Sequence, residues 1–157
     1  MKSRAFGFDI GTNFLKAVWL GFDEKRTELL SCVVLPTPTR GMLSESPLDQ
    51  EEMAQAFKQL RNEGKITTKF AHIALAENQV FTKVIEMPVL SDKELSSAIR
   101  WEAEQYIPAA LTTMTLDYIV LKQVQTNAGP RMLVLLVAAP TTLIGRYQHV
   151  LDMAGMS

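Results

Sequence analysis

The sequence predicts a mixed α/β protein, and three observations carry that reading. Two runs of β-forming apolar residues flank Gly11-Thr12-Asn13 near the start of the chain. A helix with apolar spacing opens on Ser91 and Glu94, the two ends of a capping box. A third segment, residues 131–139, is almost wholly apolar and follows a Gly-Pro turn.

The elements follow in order. Strands are expected at residues 5–10, 14–20 and about 27–35, with Gly11-Thr12-Asn13 as the hairpin bend between the first two. Pro36-Thr37-Pro38-Thr39-Arg40-Gly41 breaks regular structure and reads as a surface loop. Asp49 and Glu52 predict a capped helix with Met53, Ala56, Phe57 and Leu60 as its apolar stripe and Gly64 as its stop. Short strands at 71–76 and 80–87 are separated by Glu77-Asn78-Gln79, and Pro88 parts the second from the helix that runs to Pro108. Residues 116–124 form a strand expected to be buried on much of both faces, and 126–130 turn the chain into the strand at 131–139. Pro140 suits a first helical turn, Leu143, Tyr147, Val150, Leu151 and Ala154 mark the last helix, and Gly155 caps it.

Composition narrows the function. The 157 residues are 47% hydrophobic, enough for one domain or two small lobes with a real core. A net charge of −1 and scattered basic residues give nucleic-acid binding no support. The longest apolar run, residues 132–139, ends at Pro140, far short of the ~20 residues a helix needs to cross a bilayer. The N-terminus lacks signal-peptide architecture. Cys32, alone in a strand-like run, reads as a small buried residue, and His72 and His149 lack the spacing of a zinc site. Together these describe a reduced, cytoplasmic-type protein without membrane insertion.

Two stretches carry chemistry. In the first hairpin, glycine allows close backbone approach to a ligand, and successive N–H groups in such a turn hold phosphate oxygens. Asp9, at the lip of that turn, suits Mg²⁺ bound through water, and Lys16 on the returning strand offers its charge to the same phosphates. The competing reading is an ordinary hairpin with a polar tip. The second stretch is the helix after Ser91, where Leu95, Ala98, Ile99, Ala103 and Tyr106 share one face at 100° per residue. Glu102 falls inside that stripe and Trp101 outside it. Trp101 reads either as cover over a neighbouring strand, the preferred assignment for the residue itself, or with Arg100 as a binding hot spot.

At this point the residues resemble a family. Gly7-Phe8-Asp9-Ile10-Gly11-Thr12, followed by Lys16-Ala17-Val18, looks like the first phosphate loop of the actin-like ATPase superfamily, which includes actin, heat-shock chaperones, sugar kinases and FtsA. Ala98-Ile99-Arg100-Trp101-Glu102-Ala103-Glu104-Gln105-Tyr106-Ile107-Pro108, with Leu116-Asp117-Tyr118 after it, is more specific and resembles the PilM-type type IV pilus assembly proteins. The likeness runs from Phe6 to Gly155 and is weakest at 36–47 and 109–115.

The resemblance implies an actin-like, ribonuclease-H-like first subdomain at 1–78 plus 140–157, with an FtsA-like β-α-β-β lobe inserted at 79–139. It also implies that relatives continue for roughly as many residues again, so the second half of the actin-like fold is expected to be missing and the chain to be an N-terminal fragment or a very short member. Asp9, Gly11, Thr12, Asn13 and Lys16 would then be half of an ATP–Mg²⁺ site, with Asp9 on the metal through water. Activity would be at most a weak ATPase at full length, and none in this stretch. The implied role is a cytoplasmic assembly platform, peripheral to the inner membrane, that docks the N-terminal tail of a PilN-like protein on the inserted lobe, with Arg100 and Trp101 as contacts. Self-association is expected from apolar surface left exposed on the last helix. The alternative is an ATP-dependent enzyme such as a sugar kinase or chaperone-like ATPase, although no catalytic carboxylate constellation for a sugar kinase is visible.

Overall fold

The computed structural model describes residues 3–23, 25–127 and 129–157. The chain divides into two compact units, Met1–Ala74 with Gly145–Ser157, and Leu75–Ile144. The architecture is the α/β class expected, an actin-like first subdomain interrupted by a β-α-β-β lobe.

The first unit is built on a four-stranded sheet of β1 (Ala5–Ile10), β2 (Phe14–Phe22), β3 (Thr27–Pro36) and β4 (Phe70–Ile73), in the order β3-β2-β1-β4. The first three strands are antiparallel, and β4 returns parallel to β1 after the helix α1 (Pro47–Glu63). Period-two alternation fixes what each face shows. Phe6, Phe8, Leu15, Ala17 and Trp19 are buried, whereas Asp9, Lys16 and Val18 turn to the opposite face. α1 lies against β2 and β3. Its Phe57 meets Phe8 edge to face with ring centroids 4.8 Å apart, the arrangement the ring quadrupoles favour.

Several expectations need correction here. The helix starts two residues before Asp49, because Pro47 has its φ preset for a first turn and no N–H to satisfy there. The Asp49–Glu52 capping box therefore does not form, and Asp49 accepts from the Ser44 hydroxyl instead. Ala54 rather than Ala56 joins Met53, Phe57 and Leu60 in the buried stripe. Cys32 is exposed, since it lies on a strand that leaves many of its side chains to solvent.

The segment 145–157 returns to this first unit. Arg146 donates to the carbonyls of Met42 and Leu43 and pairs with the Glu45 carboxylate. Helix α3 (Thr141–Met153) ends in a left-handed Gly155 at φ +68. Its N–H reaches the Asp152 carbonyl at 2.9 Å, and the Met156 N–H reaches that of Leu151 at 2.9 Å, a paired closure that satisfies otherwise orphaned helix carbonyls. Pro140 ends the preceding strand rather than entering the helix. Leu143, Tyr147, Val150, Leu151 and Ala154 are all buried, as their spacing predicts. Burial also pushes the Tyr147 hydroxyl above its ordinary pKa. Ser157 bridges β4, donating to the Lys69 carbonyl at 2.9 Å and accepting from the Ala71 N–H at 2.8 Å.

The second unit holds β5 (Phe81–Pro88), α2 (Asp92–Tyr106), β6 (Met114–Thr126) and β7 (Gly129–Pro140). The strands form an antiparallel sheet ordered β5-β7-β6. Leu95, Ile99 and Ala103 of α2 pack against Ile85, Met87, Met132, Val134, Leu136 and Ala138. The Ser91–Glu94 box is present: the Glu94 carboxylate accepts from the Ser91 N–H at 2.9 Å and from its hydroxyl at 2.7 Å. Those bonds, the hydroxyl's first, hold the Glu94 pKa below its ordinary value. Of the turn at 126–130, Ala128 lies outside the described residues. β6 departs from expectation. Only Leu116 and Tyr118, with Met114, join the core, and Ile119, Val120 and Leu121 are exposed around an irregularity between Val120 and Lys122. Apolar residues fall in both alternating sets of this strand, Leu116, Tyr118 and Val120 in one and Ile119 and Leu121 in the other, and so suggest double burial, but this edge strand has a covering helix on one face alone.

Candidate functional site

The first candidate sits at the β1–β2 hairpin. Asp9 and Lys16 are cross-strand partners, so both side chains leave the sheet on the face opposite α1. Lys16 Nζ stands 2.9 Å from Asp9 Oδ2, with the two side chains 53% and 60% exposed. They border a cleft of about 600 Å³ whose walls include Gly7, Val18, His72 and Ala74. Gly7 keeps the cleft floor open, having no side chain between Asp9 and its parallel partner His72.

The turn itself has a specific construction. A Cβ on Gly11 would come within 2.8 Å of the Phe14 carbonyl oxygen, a distance side-chain carbons do not tolerate, so the bend requires glycine. The Gly11 N–H donates to that same oxygen at 3.1 Å. Thr12 and Asn13 are exposed, and no hydrogen bond among the described residues engages their N–H groups. They are placed beyond the cleft walls rather than within them, so the five expected residues divide into a cleft pair and a turn trio.

Two contributors were not anticipated. Thr37, in the loop after β3, donates its hydroxyl to the Gly11 carbonyl at 2.7 Å and its N–H to the Asn13 carbonyl at 3.0 Å. The turn is thereby tied from outside, through contacts 24 to 26 residues apart in sequence, a pairing no local pattern announces. His72 reaches the cleft because β4 pairs with β1 in parallel, and the β4 register would have been the only sequence signal for it.

The donor set fits part of a magnesium–phosphate group. Mg²⁺ takes one or two carboxylates and keeps several waters, and Asp9 is the carboxylate on the cleft wall. Lys16 and the free N–H groups of the turn supply positive ends for phosphate oxygens. An enclosed adenine pocket is not formed by these residues.

The second candidate is α2. Trp101 is 75% exposed and Arg100 is exposed too, while Leu95, Ile99 and Ala103 face the sheet. The assignment of Trp101 to the core is therefore corrected. At 100° per residue it falls on the far side of the helix from the buried stripe, where no strand lies to be covered. Tyr106, expected in the stripe, is 40% exposed, with the Lys83 ammonium 5.4 Å from its ring centroid. Strand edges are available at β5 and β6, on the flanks of the sheet rather than beside Trp101.

Among the described residues, no helix is long and apolar enough to cross a membrane.

The family model described as type IV pilus assembly protein PilM matches residues 7–157. Among solved structures, the chain is similar to one in a PilM–PilN type IV pilus biogenesis complex, with a TM-score of 0.84 and 30% identity over 98% of this chain and 45% of that one. It is also similar to the cytoplasmic domain of EpsL, an inner membrane component of the type II secretion system of Vibrio cholerae. There the TM-score is 0.55 and the identity 12%, over 97% of this chain and 53% of that one, a likeness of fold alone. The chain thus spans about half the length of the chains it matches.

Proposed function

The chain belongs to the PilM family of type IV pilus assembly proteins, and on that premise we propose that it is part of a cytoplasmic assembly platform. Its partner is the N-terminal tail of a PilN-like inner-membrane protein, which docks on the unit formed by Leu75–Ile144. The observation that carries this reading is Trp101, a large aromatic held 75% exposed on a helix whose packing is complete without it. Burying such a ring removes ~150–250 Å² from water, enough to dominate a small interface, and Arg100 beside it is a residue type enriched in hot spots. The similar chain is found in a complex with PilN, which supports this choice of partner.

In the whole protein, Asp9, Gly11, Thr12, Asn13 and Lys16 would hold the phosphates of Mg²⁺-bound ATP, with Asp9 acting on the metal through water. When bound, the nucleotide would supply a magnesium-neutralised polyphosphate. Lys16 would neutralise phosphate charge, and Thr37 ties the turn whose N–H groups would be offered to phosphate oxygens. Because the 157 residues span about half the length of the chains they match, this chain alone should bind ATP weakly or not at all and should not hydrolyse it.

Calorimetric titration of a synthetic PilN-like tail peptide, set against ATP turnover by the complete gene product, tests the reading. Saturable peptide binding with slow or no turnover supports a platform. Rapid turnover with no peptide binding would assign the protein to the ATP-dependent enzymes of the superfamily instead.

A further inference from the structure

The three-stranded sheet of β5, β7 and β6 is covered by α2 on one face only, and its other face has an ordered chemical pattern. Val84, Leu135 and Ile119 are direct cross-strand partners and form an apolar row across all three strands. Val84 is 49% and Ile119 59% exposed. The neighbouring row on one side is Glu86, Leu133 and Lys122, and on the other it is Thr82, Val137 and Asp117. Glu86 is occupied by Arg131, whose Nε lies 3.8 Å from its Oε1. Lys122 has no ion-pair partner among the described residues, and Asp117 accepts only the adjacent Tyr118 N–H at 2.8 Å.

We infer that this face pairs with the same face of a second copy of the chain, about a two-fold axis perpendicular to the strands and passing over Leu135. Such an axis keeps each strand over its counterpart and reverses the order of the rows. The apolar row then stacks on itself, and Leu133 meets Val137 of the other copy. Asp117 of each copy meets Lys122 of the other, so the contact forms twice, while Glu86 meets the Thr82 hydroxyl and keeps its own arginine. No like charges are opposed. A two-fold parallel to the strands would instead place Arg131 on Arg131, which disfavours that arrangement.

Two further features select face stacking over edge pairing. The irregularity between Val120 and Lys122 disturbs the β6 edge ladder, as bulges do where strand addition is avoided. Sheets stack face to face about 10 Å apart, with strands within about 30° of alignment, a geometry that side chains of this size fill. Three strands spaced ~4.8 Å apart give a face of only a few hundred Å² per copy, against about 800 Å² per partner for a standard stable interface. The dimer is accordingly weak. This inference does not depend on tail docking at Trp101, which lies on the far side of α2.

Sedimentation velocity of the chain from about 10 µM to about 1 mM tests it, the range in which an interface of this size is populated. A monomer–dimer equilibrium is expected. Asp117→Lys and Lys122→Asp, each alone, should weaken it by about tenfold or more, because each opposes like charges twice. Mixing the two single variants should restore a dimer, since in the heterodimer both contacts become complementary again. Both positions are exposed, and unchanged circular dichroism confirms that each variant is folded. A parent chain that stays monomeric throughout, or a dimer insensitive to both variants, overturns the inference. So does failure of the mixture to recover association, and so does a face that binds only an extended apolar peptide.

Discussion

Lys16 Nζ lies 2.9 Å from Asp9 Oδ2 across the β1–β2 ladder, and both groups remain more than half exposed. The pair is therefore positioned by the sheet without being consumed by the core. Exposed ion pairs contribute about 0–1 kcal/mol. Asp9→Ala should accordingly shift the urea unfolding free energy of this chain by less than about 1 kcal/mol. In the complete protein the same variant should weaken Mg²⁺-dependent nucleotide binding by about tenfold or more, read by titration with and without magnesium. Equal loss of stability and binding would mean that Asp9 is structural.

Thr37 gives a second prediction. Thr37→Val removes the hydroxyl that donates to Gly11, and the loss of one such bond costs about 1 kcal/mol. The more specific readout is hydrogen exchange at the Gly11 N–H, which closes the turn on the Phe14 carbonyl and should accelerate relative to β2. Uniform acceleration across the sheet would show that Thr37 supports the whole unit rather than the turn.

Phe57 anchors α1 to the sheet through Phe8. Phe57→Ala should destabilise the first unit by about 3–5 kcal/mol, the range for truncating a buried aromatic. A denaturant melt that changes by less than 1 kcal/mol would contradict the packing described.

The cap of α2 predicts a pH dependence. The Glu94 pKa is lowered in the folded state by its bonds to Ser91, so the carboxylate's contribution is present above its unfolded pKa and is lost as pH falls through the lower folded value. Thermal melts should show stability declining as pH drops below the ordinary glutamate range. Glu94→Gln should flatten that part of the profile. A profile unchanged by Glu94→Gln would remove the cap from the account.

Much of this was legible in the chain. Apolar and alternating runs located the seven strands among the described residues, and the Ser91–Glu94 and Gly155 signals placed two helix ends, because a helix end rests on a local hydrogen-bond requirement. Asp9 and Lys16 were legible together since a hairpin makes its own register. The errors arose where distant context decides. Trp101 was read as cover over a neighbouring strand, but burial depends on what lies above a helix, not on the letter. The same blindness made β6 look doubly buried. Thr37 and His72 were missed because a loop tie and a parallel register join segments that no local pattern links.

The central claim is that Trp101 is held in solvent for a partner, and its fluorescence tests this most directly. Trp19 is buried, so the solvent-exposed component of the emission belongs to Trp101. Titrating a PilN-like tail peptide should shift that component to the blue and saturate. Trp101→Ala should leave the melting temperature nearly unchanged, as surface substitutions within about ±0.5 kcal/mol do, while weakening peptide binding by about tenfold or more. Saturable binding with no spectral shift and full affinity in Trp101→Ala would place the tail elsewhere and contradict the account.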